Sequence, residues 1–194
     1  MTQTDDFRLT FEGLKKILEP YAAKLVVVHD DTKTMNDTLI ARYRRWFEYE
    51  KESHAKTLAS LYAVPEELRN LKEFAKAVHL VGHIIAARRM WLFRFGVVGQ
   101  NAELFPSETK LAELPAQLSE MEAMWFEFLK QLNDAELARV FEYQSYEGAR
   151  FRNTIEDILT QLFGHSWYHR GQVAMLLRSI GAEPAVTDFV FWAR

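Results

Sequence analysis

Along most of this chain, apolar positions recur at the three- and four-residue spacing of helices that bury one face. Near the N-terminus RLTFEGLKKILE (8–19) has that spacing and stops at Pro20. KLVVVHD (24–30) is a β-branched run that reads as one strand. From about Asn36 to Tyr62, Ile40, Tyr43, Phe47, Leu58 and Leu61 fall on related faces and predict a first long helix. Pro65 interrupts, and a second long helix is expected from about Glu66 to Phe95. Gly96, Gly99 and Pro106 mark a loop. A third helix follows from about Lys110 to Leu132, with Pro115 in its first turns. ARVFEYQSYEGARFRN (138–153) reads as a hairpin or extended crossover around Gly148. A fourth helix starts at the N-cap Thr154, with Asp157 at the capping-box position, and ends at Gly181 ahead of Pro184.

Four long helices and one extended connection predict an all-α protein, a four-helix bundle over residues 36–194. Residues 1–35 are expected to form a small appendage to it, a short helix plus a strand. With 194 residues the chain suits one domain with a sizeable core, and no internal repeat or linker divides the bundle.

Composition removes several function classes. A net charge of -3 provides no positive field for nucleic acid, so no nucleic-acid partner is expected. Arg42, Arg44, Arg45, Arg88 and Arg89 are expected to be solvated or ion-paired. The start, MTQTDDF, lacks the basic-then-apolar order of a signal peptide, and VHLVGHIIAARRMWLF is broken by His83, Arg88 and Arg89. A cytoplasmic protein without a membrane partner is the expectation. With no cysteine, metal ligands must come from His, Asp and Glu, and any thiol chemistry needs a thiol brought by a substrate.

The candidate chemistry lies in HSWYHRGQ (165–172). On a helical wheel, Ile155, Leu159, Leu162, Val173, Leu176, Leu177 and Ile180 form one apolar arc. His169 falls inside it and His165 at its edge, four residues apart and therefore neighbours. Two readings stay open on the pair alone: two buried imidazoles satisfied by hydrogen bonds, or two ligands of one cation. A catalytic metal usually takes three protein ligands plus an open position. On the second helix His83 lies nearer the apolar side and is the better third ligand, while His79 is turned about 40° away and is expected to be peripheral. His29 ends the early strand, and His54, inside EYEKESHAK, is expected at the surface. Gln172 falls on the side of His165, where it either lines the pocket or is a surface amide.

The segment TIEDILTQLFGHSWYHRGQVAMLLRSIGAEPAVTDFVFW resembles the C-terminal signature of the DinB/YfiT-like metalloenzymes, with H-x-x-x-H-R-G-Q and a Thr-Asp pair, here Thr187 and Asp188. His83 followed by Trp91 is similar to that family's other ligand-bearing helix, and ARYRRWFEYEK (41–51) to its first helix. Gly164 stands where relatives often carry Asn. The resemblance implies an up-down-down-up bundle and a divalent metal site on His83, His165 and His169, with Zn or Ni ahead of Fe or Mn.

Two enzyme classes then follow: a thiol-dependent S-transferase or isomerase of small molecules, as the resemblance implies, or a hydrolase using water activated at the ion. A third reading is a non-enzymatic, stress-related bundle whose metal is structural, closed by a fourth ligand such as Glu120, Glu122 or Glu127 on the third helix. The family resemblance also implies a homodimer. Trp46, Phe47, Trp125 and Trp192 could build its face, although core packing is the commoner use of such residues.

Overall fold

The computed structural model describes residues 38–101, 103–104, 106, 108–145 and 147–194. The short helix and strand expected in the first 35 residues lie outside them. Helix α1 spans Leu39–Tyr62 and α2 spans Lys72–Arg94; α3 spans Leu114–Gln131, and a short α4 spans Asp134–Leu137. Strands β1 (Val140–Gln144) and β2 (Arg150–Thr154) follow, then α5 (Ile155–Ser179) and a short α6 (Phe189–Trp192).

Residue pairs between helices give their directions. Tyr43 meets Thr160 and Arg170 meets Tyr49, so numbers rise together and α1 and α5 run parallel. Arg44 reaches the carbonyl of Leu129, His54 meets Glu122 and Tyr62 reaches Leu111, so α3 runs against α1. Arg89 meets Glu120 while Phe95 stacks on Phe128, so α2 and α3 are parallel. The bundle is up-down-down-up, as expected. Helix α2 packs most extensively on α5, and α3 lies against both α1 and α2. Trp125, Leu61, Leu92, Phe163 and Met121 fill the core between them.

Local chemistry accounts for the boundaries. The Thr154 hydroxyl accepts the Asp157 N–H at 3.0 Å, and the Asp157 carboxylate accepts the Thr154 N–H at 3.2 Å, the reciprocal capping box that starts α5. At the other end Gly181 takes φ 77°, which a side chain would disfavour, and the next N–H turns back to the Leu177 carbonyl at 3.0 Å. Gly148, φ 89°, turns the hairpin, in which Val140 faces Thr154 and Gln144 faces Arg150. The Asp134 carboxylate accepts the Ile40 N–H at 2.9 Å and so caps α1 from a distant element.

Two boundaries differ from expectation. The second helix begins at Lys72 rather than near Glu66: Glu66–Leu68 form a single 3-10 turn, and the extended Leu71 (ψ 143°) separates it from α2. A 3-10 turn at Leu111–Glu113 likewise precedes α3, with Pro115 in the first α turn, where its missing N–H costs nothing. Among the described residues, no helix is long and apolar enough to cross a membrane.

Phe47 and Trp125 are core residues, and Trp46 packs on Tyr43 and Phe163. Trp192 sits against Tyr49 and Phe189. Packing therefore uses all four tryptophan and phenylalanine residues named above.

Candidate metal centre

His83 comes from the middle of α2, while His165 and His169 come from successive turns of α5, the helix that packs most closely on it. The structure brings all three imidazoles together. One ligand atom from each lies within 4.8 Å of the others. Nε2 of His165 is 3.1 Å from Nε2 of His83 and 3.0 Å from Nε2 of His169. Three nitrogens bound at ~2.0–2.1 Å to one ion sit roughly 3.0 Å apart at right angles and roughly 3.3 Å apart at tetrahedral angles. The spacing suits a divalent ion.

The proton inventory points the same way. Nδ1 of His83 is 2.8 Å from the Leu104 carbonyl, which can only accept, so Nδ1 carries the proton and Nε2 is bare. Nδ1 of His169 faces Oε1 of Gln172 at 2.7 Å, which bares its Nε2 as well. His165 Nε2 then stands between two bare nitrogens and has at most one proton for two contacts. At least one pair of lone pairs meets without a hydrogen. A cation relieves that repulsion, so the donor set fits a divalent metal of the imidazole-preferring kind.

Electrostatics keep two of the three imidazoles, His165 and His169, neutral. Burial pulls the His165 imidazole down from 6.5 to about 4, with His169, His83 and Arg88 adding to the effect against the opposing pull of Glu50. Burial also lowers His169, partly offset by its bond to Gln172 and reinforced by His83. Both are unprotonated at neutral pH and ready to ligate.

The other sequence candidates fall outside the group. His79 is half-buried beside Lys76 and Thr109. Glu122 pairs with His54, Glu120 with Arg89 and Glu127 with Lys130, so none of the three α3 carboxylates joins the histidines. Gln172 is the partner that holds His169. His54 corrects an expectation: only 3% exposed, it lies inside the bundle with Nδ1 at 3.0 Å from Glu122. The charged run around it hid the periodicity, because Glu50, Ser53, His54 and Thr57 continue the inward face of Phe47 and lead into Leu58 and Leu61.

Beside the site lies a cluster that sequence reasoning missed. Glu50 is fully buried and ion-paired to Arg88, which lies over the rings of Trp125 and Phe163. Arg170, next to His169, stands 3.9 Å from the other Glu50 oxygen and donates to the Tyr49 hydroxyl at 3.0 Å. That hydroxyl donates onward to the Thr187 carbonyl, tying the Thr187–Asp188 pair to α5. Burial would raise the Glu50 carboxyl, but Arg88, then His54 and Arg170, outweigh it and hold the group below its ordinary value. Arg88 is thus an ion-pairing partner, one of the two roles expected of its cluster, and Arg170 lies beside the same carboxylate.

The family model for the DinB family matches residues 35–194 of the chain. The chain belongs to the DinB family. Protein DinB of Bacillus subtilis (strain 168) is 22% identical over 154 residues, covering 74% of this chain and 88% of that protein. The matched region takes in the whole bundle, both histidine-bearing helices and the C-terminal segment with Thr187 and Asp188. A DinB-family four-helix bundle here carries a three-histidine group that could hold a metal ion.

Proposed function

We propose that this DinB-family chain is a divalent-metal-dependent enzyme acting on small molecules, with His83, His165 and His169 as the protein ligands of Zn or Ni. The convergence of the three Nε2 atoms carries the reading, since two of them are bared by hydrogen bonds on the far side of their rings. A divalent ion held by three neutral imidazoles keeps its full charge and acts as a Lewis acid toward a thiol, a water or a carbonyl.

The chain's own contribution is orientation and exclusion. Leu104 and Gln172 fix the imidazole rings, and depressed basicity keeps His165 and His169 unprotonated. The buried Glu50–Arg88–Arg170 cluster sets the charge behind α5. Because Glu120, Glu122 and Glu127 are engaged elsewhere, these carboxylates leave the fourth position to a substrate or water. That supports a catalytic site over a closed structural one.

The reaction we favour is transfer or isomerisation using a low-molecular-weight thiol. Family resemblance and the absence of cysteine in the chain support it. Metal-dependent hydrolysis needs the same three ligands and is the competing outcome. The active form is a cytoplasmic homodimer in this reading.

Elemental analysis of the purified protein beside His83→Ala, His165→Ala and His169→Ala tests the site. We expect near-stoichiometric metal in the wild type and loss in each variant, and full occupancy in all three variants rules the site out. Turnover of a chromogenic electrophile that requires an added thiol then separates the transferase from the hydrolase, which turns over without one.

A further inference from the structure

We propose that Gly82 is the seat on which the α2–α3 loop docks, and that this close approach positions the neighbouring His83. A Cβ at residue 82 would lie 2.7 Å from Cγ2 and 2.9 Å from Oγ1 of Thr109, distances that side-chain carbons do not tolerate. Glycine within a helix costs about 0.5–1 kcal/mol relative to alanine, so a glycine eleven positions into α2 calls for a packing reason. Thr109 supplies it by resting directly on bare helix backbone.

The contact is one of shape. The Thr109 hydroxyl is buried and has no hydrogen-bond partner among the described residues, so it is held by fit against Gly82 rather than by a polar bond. Around it the loop leaves a cavity of about 230 Å³, lined by Gly82, Ile85, Arg89, Pro106 and Thr109 among others. Gly82 and Thr109 are therefore a point of close packing at the edge of that cavity.

The same loop carries the acceptor for His83. Leu104, five residues before Thr109, offers its carbonyl to Nδ1 of His83 at 2.8 Å. Consecutive residues of α2 thus meet the loop twice: residue 82 by contact, residue 83 by hydrogen bond. The second meeting keeps the proton on Nδ1 and aims a bare Nε2 at His165. A methyl group at residue 82 displaces Thr109, and the carbonyl of Leu104 moves with the loop. His83 then loses the bond that sets both its tautomer and its ring orientation. Gly82 is a positioning residue acting through Thr109 and Leu104.

Part of this inference stands on the metal reading above, and the test separates the two. Histidine ¹⁵N NMR of the metal-free protein reads the tautomer without any metal. In the wild type His83 should be a single Nδ1–H tautomer, and in Gly82→Ala a mixture. The double variant Gly82→Ala/Thr109→Ala should restore the single tautomer, because it removes Cγ2 and Oγ1, the two nearest atoms, and leaves the Thr109 Cβ at 3.4 Å.

Titration with Zn²⁺ alone should follow the same order. We expect about 10- to 100-fold weaker binding in Gly82→Ala, the range for loss of an outer hydrogen bond to a ligand, and recovery in the double variant. Thr109→Val, which keeps the shape, should match the wild type. Thr109→Leu presses the contact from the loop side and should reproduce Gly82→Ala, even if Gly82→Ala itself fails to fold. An unchanged His83 tautomer in Gly82→Ala or Thr109→Leu overturns the inference, as does a change the double variant fails to reverse. Absence of Zn²⁺ binding in the wild type overturns the metal reading instead, and leaves the tautomer experiment to decide the role of Gly82.

Discussion

Glu50 on α1 with Arg88 on α2 and Arg170 on α5 brings opposite charges into the centre of the bundle, whereas His83, His165 and His169, on the same α2 and α5, bring imidazoles. The first cluster is nearly sealed: Glu50 and Arg88 are at most 1% exposed, and carboxylate and guanidinium neutralise each other. In the second, His165 and His169 are half-buried, and two bare nitrogens meet a third that has at most one proton to share between them. Buried polar groups require partners. Glu50 and Arg88 meet as opposite charges within the chain, although Oε1 of Glu50 and guanidinium nitrogens of Arg88 and Arg170 have no hydrogen-bond partner among the described residues, whereas bare imidazole nitrogens that face one another need a cation from outside. That contrast marks the histidines, rather than the more deeply buried ion pair, as the place for a ligand.

The largest effect should come from unbalancing the sealed cluster. Glu50→Gln leaves two arginines buried without a counter-charge, and breaking a buried pair from one side typically costs about 3–5 kcal/mol. Urea denaturation should show a loss of that size, and a change below about 1 kcal/mol would mean that solvent reaches the arginines. The histidine group should behave in the opposite way. His165→Ala should barely disturb the metal-free protein, yet abolish the gain that the wild type shows on adding metal. That gain is about 2.7 kcal/mol at a hundredfold excess over Kd, and calorimetry with and without Zn²⁺ measures it.

A smaller, pH-dependent effect distinguishes the clusters again. His165 is held to about 4 in the folded protein against 6.5 in a free side chain, so between those values the unfolded chain binds the proton first. The His165 contribution to the stability of the metal-free protein should therefore be constant above about pH 6.5, fall as pH drops toward 4 and level off below that, where protonation of Glu50, held below its ordinary value, continues the loss. His169, lowered too, adds to the fall in the same direction. His165→Gln should flatten the slope, as chemical denaturation at stepped pH will show. The smallest effect belongs to an exposed control on α3. Glu120→Ala removes the partner of Arg89 at the surface and should cost less than about 1 kcal/mol, decreasing further in salt.

Much of the bundle was legible in local pattern. The capping box at Thr154 and Asp157, the stop at Gly181, the hairpin around Gly148 and the place of Pro115 each depend on residues within a few positions of one another. The pairing of His165 with His169 is equally local, because four residues make one helical turn. His54 was misplaced because hydropathy weighs a histidine among Glu and Lys as solvent-facing, while its position on the α1 wheel points inward beside Glu50. The start of α2 was misjudged because the extended Leu71 carries no turn residue to announce it.

From the order of residues alone came four helices, the caps of the last, and two histidines aimed at the interior. Tertiary structure decided what those histidines face. That His83 meets them, that Leu104 and Gln172 bare the nitrogens, that the α3 glutamates are engaged elsewhere and that Glu50 lies between two arginines all depend on which helix faces which. Periodicity fixes the face of one helix, since 3.6 residues per turn is a property of its own backbone. The group opposite that face is set by helix direction and by loops that return from many residues away.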